Sequence, residues 1–198
     1  MRRRISVGIG LVSALIATAS CKADRSSGGT VASRQPVAML GALDTTLVWN
    51  DISYHVIGRD SSFIIQPSGL NGGTDPVNAT TNGLLSHAAI ADLDKDGKPE
   101  LLVFSASADS AHRVSVVAYS ANESGLSRMD FDGVQEDPRA MPGYAGHDEF
   151  AIVNGALIQT FPLVDGRGQP TGKKRRLQYT MVNGEGARLL RVDSIAEY

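Results

Sequence analysis

From Thr45 onward the chain reads as short apolar runs separated by turn residues. Residues 46–49, 54–57 and 63–65 come first, broken by Asn50-Asp51 and Arg59-Asp60. Residues 88–90, 101–104 and 114–119 follow. In the last of these Val114, Val116 and Ala118 lie on one side and Ser115, Val117 and Tyr119 on the other, the period of two that a strand requires. Further on, two apolar runs, 150–153 and 156–161, flank Asn154-Gly155. Asn and Gly are the residues that best tolerate the positive φ angles of a tight hairpin turn. The run 176–182 alternates and ends in a second pair, Asn183-Gly184, with 188–192 as its return strand. The pattern predicts an all-β fold, an antiparallel sandwich or barrel of roughly eight to ten short strands. The one helical hint is Asp137 ahead of Pro138, a cap followed by a proline at the first helical position, which Pro142 ends after a single turn.

The first 43 residues follow another pattern. Arg2, Arg3 and Arg4 precede fifteen uncharged residues, 5–19, as in a secretory signal peptide. That stretch falls short of the roughly 20 apolar residues that span a bilayer. Thr18-Ala19-Ser20-Cys21 reads as a lipobox, in which Cys21 becomes the lipidated N-terminus; Ala17-Thr18-Ala19 equally suits ordinary signal peptidase. Cys21 is the only cysteine, so it has no disulfide partner within the chain. Residues 22–43, rich in Ser, Gly and Ala, have no sustained apolar period and read as a flexible tether. The expected organisation is a signal peptide at 1–20, a tether from lipidated Cys21 to 43, and one β domain at 44–198. This places the protein in the periplasm, held to a membrane through its lipid.

Loss of Arg2, Arg3 and Arg4 with the leader lowers the 19 basic residues to 16 against 21 acids, a formal charge of −5. A mildly acidic body argues against nucleic acid and suits a cationic partner; a homodimer stays open.

The sharpest local motif is Asp92-Leu93-Asp94-Lys95-Asp96-Gly97-Lys98-Pro99-Glu100. Acids at loop positions 1, 3 and 5 before a glycine can surround a calcium ion. Val103 stands where an EF-hand has its bidentate acid, so Asp92, Asp94, Asp96 and Glu100 would form a strand-flanked calcium hairpin instead. The same residues also suit a metal-free turn whose Asp side chains cap its own amides. Enzyme signatures are missing: there is no nucleophile elbow, zinc helix or phosphate loop, and His55, His87, His112 and His147 are scattered. The protein is expected not to be an enzyme.

Several blocks together resemble the periplasmic inhibitors of invertebrate-type (I-type) lysozyme. These are residues 91–103, Gly143-Tyr144-Ala145-Gly146-His147-Asp148-Glu149-Phe150 and on to Val153, Phe161-Pro162, and 170–173. Residues 65–70, 177–179, Gly184-Glu185 and the terminal Glu197-Tyr198 add to the likeness. The resemblance implies a β-sandwich, an I-type lysozyme as protein partner, and inhibition by a loop inserted into the enzyme's cleft. In that family the loop carries a Ser-Gly-x-Tyr-Gly-like stretch; the matching positions here are Ser110, Ala111, His112, Arg113 and Val114. Ser110 carries over, Arg113 replaces the tyrosine, and both glycines are lost. The implied binding residues are Ser110, His112 and Arg113, with the guanidinium able to reach carboxylates as a bidentate donor. Read without the resemblance, 109–113 is a solvated hairpin tip.

Overall fold

The computed structural model describes residues 40–122, 125–184 and 186–198. The predicted signal peptide, Cys21 and the tether as far as residue 39 lie outside the described residues, as does Glu185.

Twelve strands and no helix are found among the described residues. They are β1 (Ala42–Trp49), β2 (Ile52–Arg59), β3 (Ser62–Ser68), β4 (Val77–Thr80), β5 (Leu84–Ala91) and β6 (Glu100–Ala106). After them come β7 (Val114–Asn122), β8 (Gly125–Phe131), β9 (Glu149–Val153), β10 (Ala156–Val164), β11 (Pro170–Asn183) and β12 (Arg188–Glu197). The count exceeds the eight to ten expected because β4 and β8 carry mixed, largely polar sequences that leave no apolar run. β1 also starts at Ala42, inside the stretch read as tether. At 137 a single turn forms as expected, with Ala140 and Met141 N–H groups both donating to the Asp137 carbonyl, at 2.9 and 3.2 Å.

Strands β1-β2-β3-β4 make one sheet, and β5-β6-β7-β8-β12-β11-β10-β9 a second. The expectation of antiparallel pairing throughout needs one correction. β12 meets β8 in parallel, with Leu189 opposite Asp130 and Leu190 opposite Phe131.

Strand β6 explains the layering. Its apolar run is continuous, so both faces must be covered. Leu101 and Val103 pack with Tyr54, Val56, Phe63 and Ile65 of the four-stranded sheet. Leu102 and Phe104 pack with Leu157, Phe161, Leu177 and Tyr179 of the same eight-stranded sheet that β6 belongs to. For that, the larger sheet must curl back over itself, and its last strand closes on β6: the Phe104 and Phe150 rings lie 5.6 Å apart. The result is a nearly barrel-like sheet with a smaller sheet packed against its outer face. A two-layer stack would leave one side of β6 bare. The curl also brings the β6–β7 connection beside the segment that leads into β9, and this juxtaposition builds the candidate site.

Candidate functional site

The connection between β6 and β7 holds the predicted binding residues. It is a structured tip, tied by its own side chains. The Ser107 hydroxyl donates to Asp109 Oδ1 at 2.6 Å, and the Ala111 N–H donates to the same oxygen at 3.1 Å. The Arg113 N–H donates to Ser107 Oγ at 2.9 Å, and the Ser107 N–H to the Arg113 carbonyl at 2.8 Å, closing the base. Arg113 Nη1 reaches Asp109 Oδ2 at 3.3 Å. Hydrogen bonding from Ser107, with the Ala111 amide and the Arg113 charge beside it, holds the Asp109 carboxyl below the usual carboxylate range. Asp109 is thus occupied inside the loop, while Ser110, His112 and Arg113 stand exposed. His112 has φ 43°, a left-handed conformation that a non-glycine residue adopts only when its surroundings enforce it.

The enforcement comes from residues 143–148. Gly146 has φ 93°, and a Cβ there would sit 2.1 Å from the Ala111 carbonyl oxygen, so only glycine lets the two segments approach so closely. His147, itself at φ 61°, donates its N–H to that same carbonyl at 2.6 Å. Asp148 then braces the other side of the loop. Its Oδ2 accepts the Val114 N–H at 2.9 Å and the Tyr144 hydroxyl at 2.7 Å, and its Oδ1 accepts from Gln159 Nε2 at 2.7 Å. The chain of bonds continues inward, where the Tyr179 hydroxyl donates to Gln159 Oε1 at 2.5 Å. Burial raises the Tyr144 and Tyr179 hydroxyls well above the ordinary phenol range, helped at Tyr144 by the hydrogen bond to Asp148 and at Tyr179 by the Asp148 charge, so both stay protonated donors. A cleft of about 280 Å³ opens beside Arg113, between Phe131, Tyr144 and Phe150.

The second predicted cluster lies at the β5–β6 turn. Here Asp92, Asp94 and Glu100 each place an oxygen within 4.8 Å of the others. Asp96 is not part of that group. Much of the aspartates' capacity goes to the turn itself: Gly97 N–H donates to Asp92 Oδ2, Asp96 N–H to Asp94 Oδ1 and Lys98 N–H to Asp96 Oδ1. Glu100 is fully buried, accepting the Leu93 N–H at 2.8 Å and the Ser120 hydroxyl at 3.0 Å. Desolvation outweighs those two bonds and pushes its carboxyl up to about 7.

Sequence reading missed the cation already present there. Arg188, the first residue of β12, places Nη1 2.8 Å from both Asp94 Oδ2 and Ser120 Oγ, and 3.7 Å from Glu100 Oε1. Its Nη2 lies 3.6 Å from Asp96 Oδ2. Its sequence separation from the Asp-rich turn hid this. Asp92 Oδ1, by contrast, is buried with no hydrogen-bond partner among the described residues. Two aspartates and a buried glutamate are a hard-oxygen donor set of the kind calcium takes, and the unpartnered oxygen leaves one strong acceptor unused.

The structure thus keeps Ser110, His112 and Arg113 together on one exposed tip, and brings Asp92, Asp94 and Glu100 together elsewhere, with Asp96 turned to Arg188. Comparison of the chain with protein-family profiles, with curated proteins and with solved structures finds no match.

Proposed function

We propose that this protein is an envelope-located inhibitor of I-type lysozyme that acts by inserting the 107–113 loop into the enzyme's active-site cleft. The observation that carries the reading is the bracing of that loop. Ser107 and Asp109 tie it internally, His147 and Asp148 tie it from outside, and its apex of Ser110, His112 and Arg113 stays exposed. A loop held in one shape before binding loses less entropy when it binds. Glycoside hydrolases work through paired carboxylates in a cleft, and Arg113, with only one guanidinium nitrogen engaged by Asp109, retains donors for such a group. On this reading the two packed sheets are a version of the family's β-sandwich, and Cys21 anchors the mature chain as a lipoprotein. The acidic body draws in a cationic enzyme. An inhibition assay on invertebrate-type lysozyme tests the reading, with Ser110→Ala/Arg113→Ala as the variant that should fail.

A second reading, favoured by the unpartnered Asp92 Oδ1, is a non-inhibitory envelope lipoprotein of the same fold stabilised by calcium at Asp92, Asp94 and Glu100. In it the ion competes with Arg188 for Asp94. Thermal melting with calcium against chelator separates the two readings, because a ligand of the folded state raises its melting temperature by mass action.

A further inference from the structure

We infer that the partner-facing surface has two parts, the 107–113 loop and His147 from the neighbouring segment, and that together they form a tip of hydrogen-bond donors shaped for a carboxylate-lined cleft. The inference rests on the inhibitor reading of the loop and adds to it a residue from another part of the chain.

Three observations lead there. His112 and His147 are both exposed, and their rings lie 5.8 Å apart at 53° to one another. They reach this pairing from separate segments, 35 positions apart in sequence, and each holds a left-handed backbone conformation to do so. Such conformations are strained and persist where the surroundings over-determine them. The fold therefore fixes the two imidazoles side by side on the same edge as Arg113.

The carboxylates of this edge already have partners within the protein. Asp109 spends Oδ1 on Ser107 and Ala111 and Oδ2 on Arg113. The Ala111 carbonyl is taken by the His147 N–H, and Asp148 by Val114, Tyr144 and Gln159. Glu149 faces Lys174 of β11 at 4.0 Å. What remains for a partner is the Ser110 hydroxyl, the free guanidinium N–H groups of Arg113 and two imidazoles. The Arg113 charge, with a hydroxyl and two imidazoles able to donate beside it, complements an acidic cleft.

The test is the affinity of the mature protein for an invertebrate-type lysozyme, measured by calorimetry with wild type, His147→Asn and His112→Asn/His147→Asn. Asparagine tolerates the left-handed backbone at both positions and keeps the N–H that binds Ala111, so the fold and the brace survive. His147→Asn should weaken binding by about tenfold and the double variant by more, both with unchanged melting temperature, as expected for contact residues near the centre of an interface. Wild-type affinity in His147→Asn would overturn the two-part surface while leaving the loop reading intact. No binding by the wild-type protein would overturn the inhibitor reading, and this inference with it.

Discussion

The His147 N–H donates to the Ala111 carbonyl across two segments that meet only because the large sheet curls, and the bond is 2.6 Å long. Ala111 is the middle of the exposed tip and His147 the residue after a glycine that cannot be replaced without collision. The tip's shape is therefore set from outside the loop as well as from within it.

Gly146→Ala should damage both the fold and the tip. Its left-handed backbone alone costs alanine about 1–2 kcal/mol, and the contact with the Ala111 carbonyl adds to that. Urea denaturation should register a loss of about 2 kcal/mol or more. Gly168→Ala is the control: φ there is 76°, with nothing within 4 Å of the added carbon, so only the backbone cost applies. Equal losses in the two variants would mean that the close approach to Ala111 carries no weight.

Asp148→Asn keeps the shape of the brace but turns an amide toward groups that all donate. One or more of the Val114, Tyr144 and Gln159 bonds must break. The expected loss is about 2 kcal/mol, the usual cost of leaving buried polar partners unpaired. Amide exchange at Val114 should speed up with it. A Val114 amide as protected as in the wild type would show that the carboxylate is not what holds the loop's end.

Glu100 gives the protein a pH-dependent stability. Its carboxyl stands at about 7 in the folded state against 4.5 for the reference group, so folding takes up a proton between these values. That contribution is complete below about pH 4.5 and is lost as pH rises through 7. In chelator, wild-type stability should fall by up to roughly 3 kcal/mol between pH 5 and 8. Glu100→Gln, measured by urea denaturation at each pH, should flatten this part of the profile. An unchanged slope in the variant would assign the pH dependence to another group.

Arg188 and calcium should compete. Removing the guanidinium with Arg188→Met leaves Asp94 and Glu100 without their cation, so calcium should raise the melting temperature more in this variant than in the wild type. Saturation at a hundredfold excess over the dissociation constant is worth about 2.7 kcal/mol. Asp92→Asn should reduce the response. Calcium-independent melting in both proteins would leave Arg188 as a counter-ion of the loop and remove the second functional reading.

Much of the fold was legible from periodicity. Strands such as β7 and β10 write their two faces directly into the chain, and Asn154-Gly155 marks its hairpin. β4 and β8 were not legible, because Val77–Thr80 and Gly125–Phe131 gain their pairing from neighbours and not from an apolar run. The unbroken burial of β6 was visible as a continuous apolar run, but not that one sheet would cover it by curling. At the site, spacing drew attention to the Asp-rich turn, and the family resemblance to residues 143–150. The role of the latter block was hidden: Gly146, His147 and Asp148 act on a loop more than thirty residues earlier. Arg188 was hidden for the same reason, since its partner Asp94 is 94 positions away.

The inhibitor reading is decided by assaying the mature protein against invertebrate-type lysozyme, with chicken-type and goose-type enzymes as controls. Selective inhibition of the invertebrate-type enzyme at sub-micromolar concentration is expected, lost in Ser110→Ala/Arg113→Ala while the melting temperature stays the same. A folded wild-type protein that inhibits none of the three enzymes would contradict it.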